Sequence, residues 1–335
     1  FKKFAFKIMN YASLSNEHFQ MLQYLVNTYL NGIIRTIVDK SPGHSGSFVY
    51  LIEVVLAEKR LLCIAKLTPA DFALDDSLQN RVYGSCISSF NAVYKYLQQY
   101  QIPLPHLYAS HTPSADIPFY CQLMEYLPGQ EVNIAIKIIS EEQQSTLQQF
   151  LGMHLGVIHN ITRSYDGWVD LAIPHLLSWR EAFFTTLHQN LDDACQHQAI
   201  AVQKTTILQA IAHYLAFWTD PSEFVLSHVD GVQGMIVLTS TGWQLTGVVD
   251  IEDHYFTDQR FVLAGYELQL ETNNNAVLSS FWNAYQIQKA VDPTYWQLRP
   301  LFQLYYLLSW VSNKPLEQQQ IIERLGQQIL LRCQV

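Results

Sequence analysis

Charge is scarce in this chain. Asp, Glu, Lys and Arg together make up only 15% of its 335 residues, and 29 acidic side chains outnumber 20 basic ones for a formal charge of −9. A nucleic-acid surface needs clustered Lys and Arg to neutralise phosphates, so no nucleic-acid partner is expected. The negative balance suits a cationic small substrate, although solubility alone is the commoner reason for it. Cysteine is sparse too. Cys63, Cys86, Cys121, Cys195 and Cys333 are odd in number, scattered and without a C-x-x-C pair. That pattern predicts reduced thiols, a cytoplasmic location and no cysteine-held metal. Long apolar runs are missing: stretches such as Phe48 to Leu56 are broken by charges such as Glu53, and none approaches the ~20 residues of a membrane-spanning helix. The basic start Phe1-Lys2-Lys3-Phe4 is not followed by the apolar segment and small-residue site of a secretory leader, so none is expected.

Apolar side chains are abundant, at 49% of the chain. The length predicts about two domains or lobes, each with a core that needs neither disulfide nor structural metal. Residues 17–31 repeat Leu22, Leu25, Val26 and Tyr29 at a helical period. The pattern then turns to strands: Ile33 to Val38, Phe48 to Leu56 and Arg60 to Leu67, with a turn-rich loop Ser41-Pro42-Gly43-His44-Ser45-Gly46-Ser47 after the first. A helix over 77–100 ends before Pro103 and Pro105, and strands near 106–110 and 118–126 follow. Pro128-Gly129 marks the best boundary. It divides residues 1–127, a small α+β unit with an N-terminal helix, from residues 128–335, mainly helical. Ser140 and Gln143 form a capping box ahead of the stripe Leu147, Phe150, Leu151, His154, Leu155, Ile158. Further helices are expected near 176–190, 203–218, 276–289, 294–312 and 316–332, with strands at Phe224 to Leu226 and Gly242 to Val249. Strands followed by helices imply segregated lobes, an α+β fold, and not an alternating doubly wound sheet.

The chemistry concentrates between His228 and Ala264. His228-Val229-Asp230 follows a short strand, and Asp250, twenty residues after Asp230, ends the next. An H-x-D loop followed by a second Asp at a strand end is a phosphoryl-transfer arrangement. The first carboxylate accepts the proton of an attacking hydroxyl, and the second binds Mg²⁺ against nucleotide phosphates.

Here the chain resembles the aminoglycoside phosphotransferase and choline kinase family, within the protein-kinase-like fold. The family pattern H-G-D-x-x-x-x-N-I-L, then I-D-W-E-D-A-G-F-G-D-P-A-Y-D-L-A, is met at His228, Asp230, Gly234, Ile236, Asp250, Glu252, Asp253, Phe256, Asp258, Leu263 and Ala264. Ala65-Lys66 sits where the nucleotide lysine should end a strand, and Gly43 to Tyr50 looks like the phosphate-covering loop. Ile102 to Pro105 looks like the proline turn, Leu123 to Gly129 like the lobe hinge, and Leu155 to His159 like the L-x-x-L-H helix end. The resemblance spans roughly residues 33–310 and implies a bilobal fold, with a small antiparallel-sheet lobe and a larger helical lobe.

What the resemblance implies can be carried over residue by residue. Gly43, Ser45, Gly46 and Ser47 would cover the phosphates of ATP or GTP, and Lys66 would hold the α- and β-phosphates. The hinge backbone from Glu125 to Leu127 would meet the base. Asp230 would act as base and Asp250 would bind Mg²⁺. Glu252 and Asp253 would contact metal or substrate, and His228 and Asp258 would brace the site. The acceptor would be a hydroxyl of a small molecule, cationic ones included.

The departures are as informative. Met235 replaces the family's Asn, and a thioether is a poor ligand for a hard cation. Val262 replaces the Asp of the D-L-A end, and Val229 the Gly before Asp230. The helix after Lys66 carries Ser88, Ser89 and Phe90 where a Glu should pair with the lysine, so Lys66 is expected to lack that partner unless Asp75 or Asp76 reaches it. Losing a metal ligand and a lysine-orienting carboxylate can abolish chemistry while leaving nucleotide binding. A pseudokinase that binds nucleotide or a partner in the same cleft is therefore the alternative.

Blander roles stand beside these. Asp230 before Gly231 is a natural turn former. His254 beside acidic residues is expected to partner a carboxylate. Tyr266, Trp282, Tyr285, Trp296, Tyr305, Tyr306 and Trp310 fit a cation cage, but their helical spacing favours core packing. Gly43 to Ser47 nearly matches the G-x-S-x-G nucleophile elbow, yet that elbow precedes a helix and here a β-forming run follows.

Overall fold

The computed structural model describes residues 16–42, 47–57, 59–70, 90–114, 117–169, 177–228, 234–272, 277–312 and 318–334. The fold is α+β. Strands β1 (Ile33–Pro42), β2 (Phe48–Val55), β3 (Arg60–Pro69), β4 (Leu107–His111) and β5 (Phe119–Glu125) form one antiparallel sheet in the order β1-β2-β3-β5-β4. Their β-branched and aromatic side chains suit a half-buried pleated surface. The helix Asn16–Leu30 covers one face, burying Leu22, Leu25 and Val26 against Ile52, Val54, Ala65 and Leu123. That cluster is the smaller of two cores.

The larger core belongs to the helices. It gathers Leu147, Leu151 and Leu155 of the helix Glu141–His159, Phe183 and Leu187 of Trp179–Ala194, Phe261 of Gln259–Thr272, Phe281 and Tyr285 of Ser279–Gln288, and most of Tyr295–Ser312. The helix Phe90–Gln99, although it precedes the hinge in the sequence, buries Phe90, Val93, Tyr94 and Leu97 in this second core. The expected capping box closes the start of Glu141–His159. Gln143 N–H donates to Ser140 Oγ at 3.3 Å, and Ser140 N–H to Gln143 Oε1 at 3.1 Å. A second box, Ser178 with Glu181, caps Trp179–Ala194.

Gly152 and Gly156 lie one turn apart on the helix Glu141–His159, facing the helix Ser279–Gln288. A Cβ on Gly156 would stand 2.7 Å from Gln288 Cβ and 3.0 Å from the Tyr285 carbonyl oxygen, and one on Gly152 would collide with the Phe281 carbonyl. Missing side chains thus let two backbones touch.

Two small sheets accompany the helices. Immediately after the hinge, β6 (Gln130–Glu131) adds to β10 (Gly234–Thr239) and β11 (Gly242–Val248). A four-stranded sheet pairs β7 (Thr162–Arg163), β9 (Phe224–His228), β12 (His254–Thr257) and β8 (Gly167–Trp168) in that order.

Most expected elements are present. Of the helix expected over 77–100, Phe90–Gln99 is helical; 71–89 lie outside the described residues. The sequence reading missed the helices Val132–Ile138, Gln198–Ala201 and Gln259–Thr272 and the short strands β6, β7, β8, β10 and β12. Residues 259–268 are buried without a break, so that helix has no polar face to set a period. Tyr266, Tyr285, Tyr305 and Tyr306 are core residues, while Trp296 is half exposed.

Candidate functional site

β3 carries Lys66 between the two bodies. Its side chain is 11% exposed, and its ammonium donates to Asp250 Oδ1 at 3.1 Å and to Glu252 Oε1. The expected missing partner is thus supplied from elsewhere. The described part of the preceding helix, Phe90–Gln99, holds no acidic residue, and the carboxylates come from a turn 184 and 186 residues further on. Burial alone would lower the Lys66 pKa; Glu252, Asp250 and Asp253 outweigh it and hold the value above the ordinary lysine range. Asp250 shows the reverse balance. Desolvation would raise its carboxyl, but Lys66, then His228, keep it below the usual range.

The turn holding these acids is the 3₁₀ segment Ile251–Asp253, entered through Asp250 at φ 49°, ψ 51°. This left-handed conformation costs most L-residues roughly 1–2 kcal/mol, and Asp is among the few that visit it routinely. Two histidines clamp the turn. His228 Nε2–H donates to the Asp250 carbonyl at 3.1 Å, and His254 Nδ1–H to the Ile251 carbonyl at 3.1 Å. Among the described residues His254 therefore bonds a backbone oxygen, where a carboxylate was expected. Burial, then the neighbouring His228, pushes its pKa down to about 3, so it is neutral. Asp253 Oδ2 lies 4.0 Å from His228 Nε2.

The other sequence-derived residues are spread more widely. Ser47 is buried, with its hydroxyl 2.8 Å from that of Thr68 on β3. Gly43, Ser45, Gly46 and Asp230 lie outside the described residues. Glu125 is exposed at the end of β5; its N–H donates to the His106 carbonyl at 2.8 Å, and its Oε2 accepts from His106 N–H at 3.1 Å. Leu127 is buried over β11, where a Cβ on Gly247 would come within 2.5 Å of Leu127 Cδ1. Met235 is 9% exposed on β10. Thr246 Oγ lies 2.9 Å from the Met235 carbonyl and 2.7 Å from that of Pro128, fastening hinge to strand.

Asp258 braces the end of β12 through a residue with no sequence signal of its own. Arg260 is fully buried. Its Nε and Nη2 donate to the Asp258 carboxylate at 2.6–3.2 Å, Nη1 to Thr219 Oγ1 at 3.0 Å and Thr294 Oγ1 at 2.8 Å, and Nη2 to the Thr219 carbonyl at 2.8 Å. Val262, one turn into the same helix, is buried where the resemblance leads one to expect Asp.

Among the described residues no group of three His, Cys, Asp or Glu side chains could hold a metal ion. A protein cage is therefore absent there. Mg²⁺ at nucleotide sites needs only one or two carboxylates, with phosphates and waters completing its octahedron. Asp250, with its side chain 52% exposed, fits that lesser requirement.

The sequence model of the phosphotransferase enzyme family, APH, matches residues 85–260, just over half of the chain. The chain belongs to that family. By sequence alone, no curated protein matches this family member. Its fold is shared with solved phosphotransferases. Aminoglycoside phosphotransferase APH(4)-Ia, in a ternary complex with ADP and hygromycin B, matches at TM-score 0.61 and 11% identity over 92% of this chain and 95% of that one. The streptomycin–ATP complex of APH(2″)-IIa matches at TM-score 0.56 and 13% identity, over 94% and 96%. A candidate fructosamine-3-kinase from Thermobifida fusca YX-ER1 matches at TM-score 0.57 and 16% identity, over 92% and 98%. At such identities the likeness is one of fold: the protein-kinase-like bilobal α+β architecture.

Among the described residues no helix of this phosphotransferase-family chain is long and apolar enough to cross a membrane.

Proposed function

We propose that this chain transfers a phosphoryl group from ATP or GTP, with Mg²⁺, to a hydroxyl of a small molecule. One observation carries the proposal: Lys66 of β3 and Asp250 of the turn, far apart in sequence, meet at 3.1 Å. An ammonium and a carboxylate from opposite sides of a cleft are the pair that phosphoryl transfer needs for nucleotide phosphates and their metal. The division into residues 1–127 and 128–335 is part of the proposal, with the nucleotide between the two parts.

The roles of Lys66 and Asp250 draw on their charge and burial, and the others on the positions matched to the family pattern. Lys66 holds the α- and β-phosphates. The 43–47 loop covers them, and the backbone from Glu125 to Leu127 meets the base. Asp250 holds Mg²⁺, which when bound neutralises charge on the phosphates. Asp253 contacts metal or substrate. Asp230 takes the proton of the acceptor hydroxyl. The acceptor class is proposed from the net charge of −9 together with relatives solved with hygromycin B and streptomycin: small polyhydroxylated cations are the first compounds to screen.

Thermal shift with ATP and GTP, each with and without Mg²⁺, tests the reading. Stabilisation that requires Mg²⁺ supports it. An Asp230→Ala variant should keep nucleotide affinity and lose turnover; equal turnover sinks the assignment.

Met235 favours a second reading, a cleft that binds nucleotide without transferring phosphate. A thioether stands in the family's Asn position and offers Mg²⁺ no oxygen. Met235→Asn separates the two: a rise in turnover marks an impaired enzyme, and no change marks a cleft put to another use.

A further inference from the structure

In the family pattern a Glu on the helix after β3 orients the nucleotide lysine. The described stretch of that helix, Phe90–Gln99, has no acidic side chain to offer. It packs instead on the 3₁₀ turn Ile251–Asp253, and the turn sends Glu252 to Lys66. The two carboxylates on the lysine are not equivalent. Glu252 has a side chain 5% exposed; that of Asp250 is 52% exposed. A metal–nucleotide complex arriving from solvent can reach Asp250, whereas Glu252 lies behind it, among buried groups. The turn is also held in place from below: His228 and His254 fix two of its consecutive carbonyls, and Ile251 is buried. A carboxylate on so constrained a segment has a set position, which is what an orienting partner requires.

We propose that Glu252 is the positioning residue of Lys66. It takes over the task of the helix carboxylate, and it frees Asp250 to leave the lysine for the metal. Glu252 then touches neither metal nor substrate, and it influences nucleotide binding only through Lys66. This rests on the function proposed above for the same cleft.

A double-mutant cycle tests it, with Lys66→Met, Glu252→Gln and the pair, read by ATP affinity, Mg²⁺ half-saturation and melting temperature. The amide oxygen introduced by Glu252→Gln can still accept a hydrogen bond from Lys66, so that variant should fold. In the wild-type background Glu252→Gln should weaken ATP about 10–100-fold, the usual effect of removing a partner that orients a binding group. In the Lys66→Met background the same change should alter neither ATP affinity nor Mg²⁺ half-saturation. It should raise the melting temperature, because Lys66→Met alone leaves the Glu252 carboxylate buried and unpaired. Additive losses of affinity, or a Mg²⁺ half-saturation that Glu252→Gln still shifts without the lysine, would make Glu252 a metal or substrate ligand and overturn the proposal. If wild-type protein binds no nucleotide, the proposed function fails, and the melting temperatures still decide whether Glu252 and Lys66 are coupled.

Discussion

His228 and His254 face each other across adjacent strands, ring centroids 4.9 Å apart and nearly perpendicular, and each gives one ring N–H to the same turn. The outcome is a left-handed Asp250 held from two sides. This defines what residue 250 can be. Asp250→Asn should keep the backbone, since Asn also tolerates that conformation, while removing the charge. Asp250→Ala should lose about 1 kcal/mol more in stability from the left-handed backbone. Chemical denaturation of both variants checks the order. Neither should retain Mg²⁺-dependent nucleotide stabilisation; its survival in Asp250→Asn would exclude Asp250 as the metal ligand.

A buried histidine elsewhere gives the protein an acid sensitivity. Burial, then the charge of Lys289, pushes the pKa of His159 down to about 3, well below its ordinary ~6.5. The bond pattern agrees with a neutral ring. Gln259 donates to Tyr285 Oη at 2.8 Å, so the tyrosine hydroxyl donates onward to His159 Nδ1 at 2.7 Å. Between the two pKa values the unfolded chain takes a proton that the folded chain refuses. This contribution is complete above pH 6.5 and declines as pH falls, at most ~1.4 kcal/mol per pH unit. The melting temperature should drop from pH 6.5 to 5, and less steeply in His159→Gln. Equal slopes would show that His159 does not contribute.

Arg260 predicts a large and asymmetric cost. Arg260→Met leaves the Asp258 carboxylate buried without its partner and should cost about 3–5 kcal/mol. Replacing both residues by apolar ones should cost less than the single change. Urea unfolding of the two variants measures the difference; a double variant worse than the single would contradict the account.

Two glycines should respond differently to the same substitution. Gly152→Ala forces apart two helices in backbone contact and should cost about 1–3 kcal/mol. Gly326 sits in the helix Gln319–Arg332, where a Cβ would meet only the Ile200 Cδ1 methyl at 3.3 Å. There alanine should be neutral or stabilise by up to ~1 kcal/mol through helix propensity. The midpoints of two urea curves settle it.

The parts of this fold that the sequence makes legible are those with local grammar. β2 and β3 announce themselves by β-branched runs, Ser140 and Gln143 by their capping box, and Lys66 and Asp250 by motifs kept in order over the chain. Glu252 was legible only as an acid of the family pattern, a candidate contact for metal or substrate. Its task depends on a strand 186 residues away, and no period or spacing carries that information. Arg260 was silent for the same reason: its partners come from three separate segments. The helix Gln259–Thr272 was hidden because burial on nearly every side erases amphipathic contrast.

The strand that follows the hinge is only two residues long, yet it has a mechanical consequence. Gln130 and Glu131 pair with Ile236 and Met235, and Gly129, at φ 126°, lies so close to β10 that a Cβ would meet the Ile236 carbonyl oxygen at 2.5 Å. The chain leaves one sheet at Glu125 and is fastened to another by Gln130. Only residues 126–129 separate the two sheets along this connection, so the direction in which the chain passes from one to the other is fixed at both ends, and Gly129 cannot be exchanged for a residue with a side chain without displacing β10.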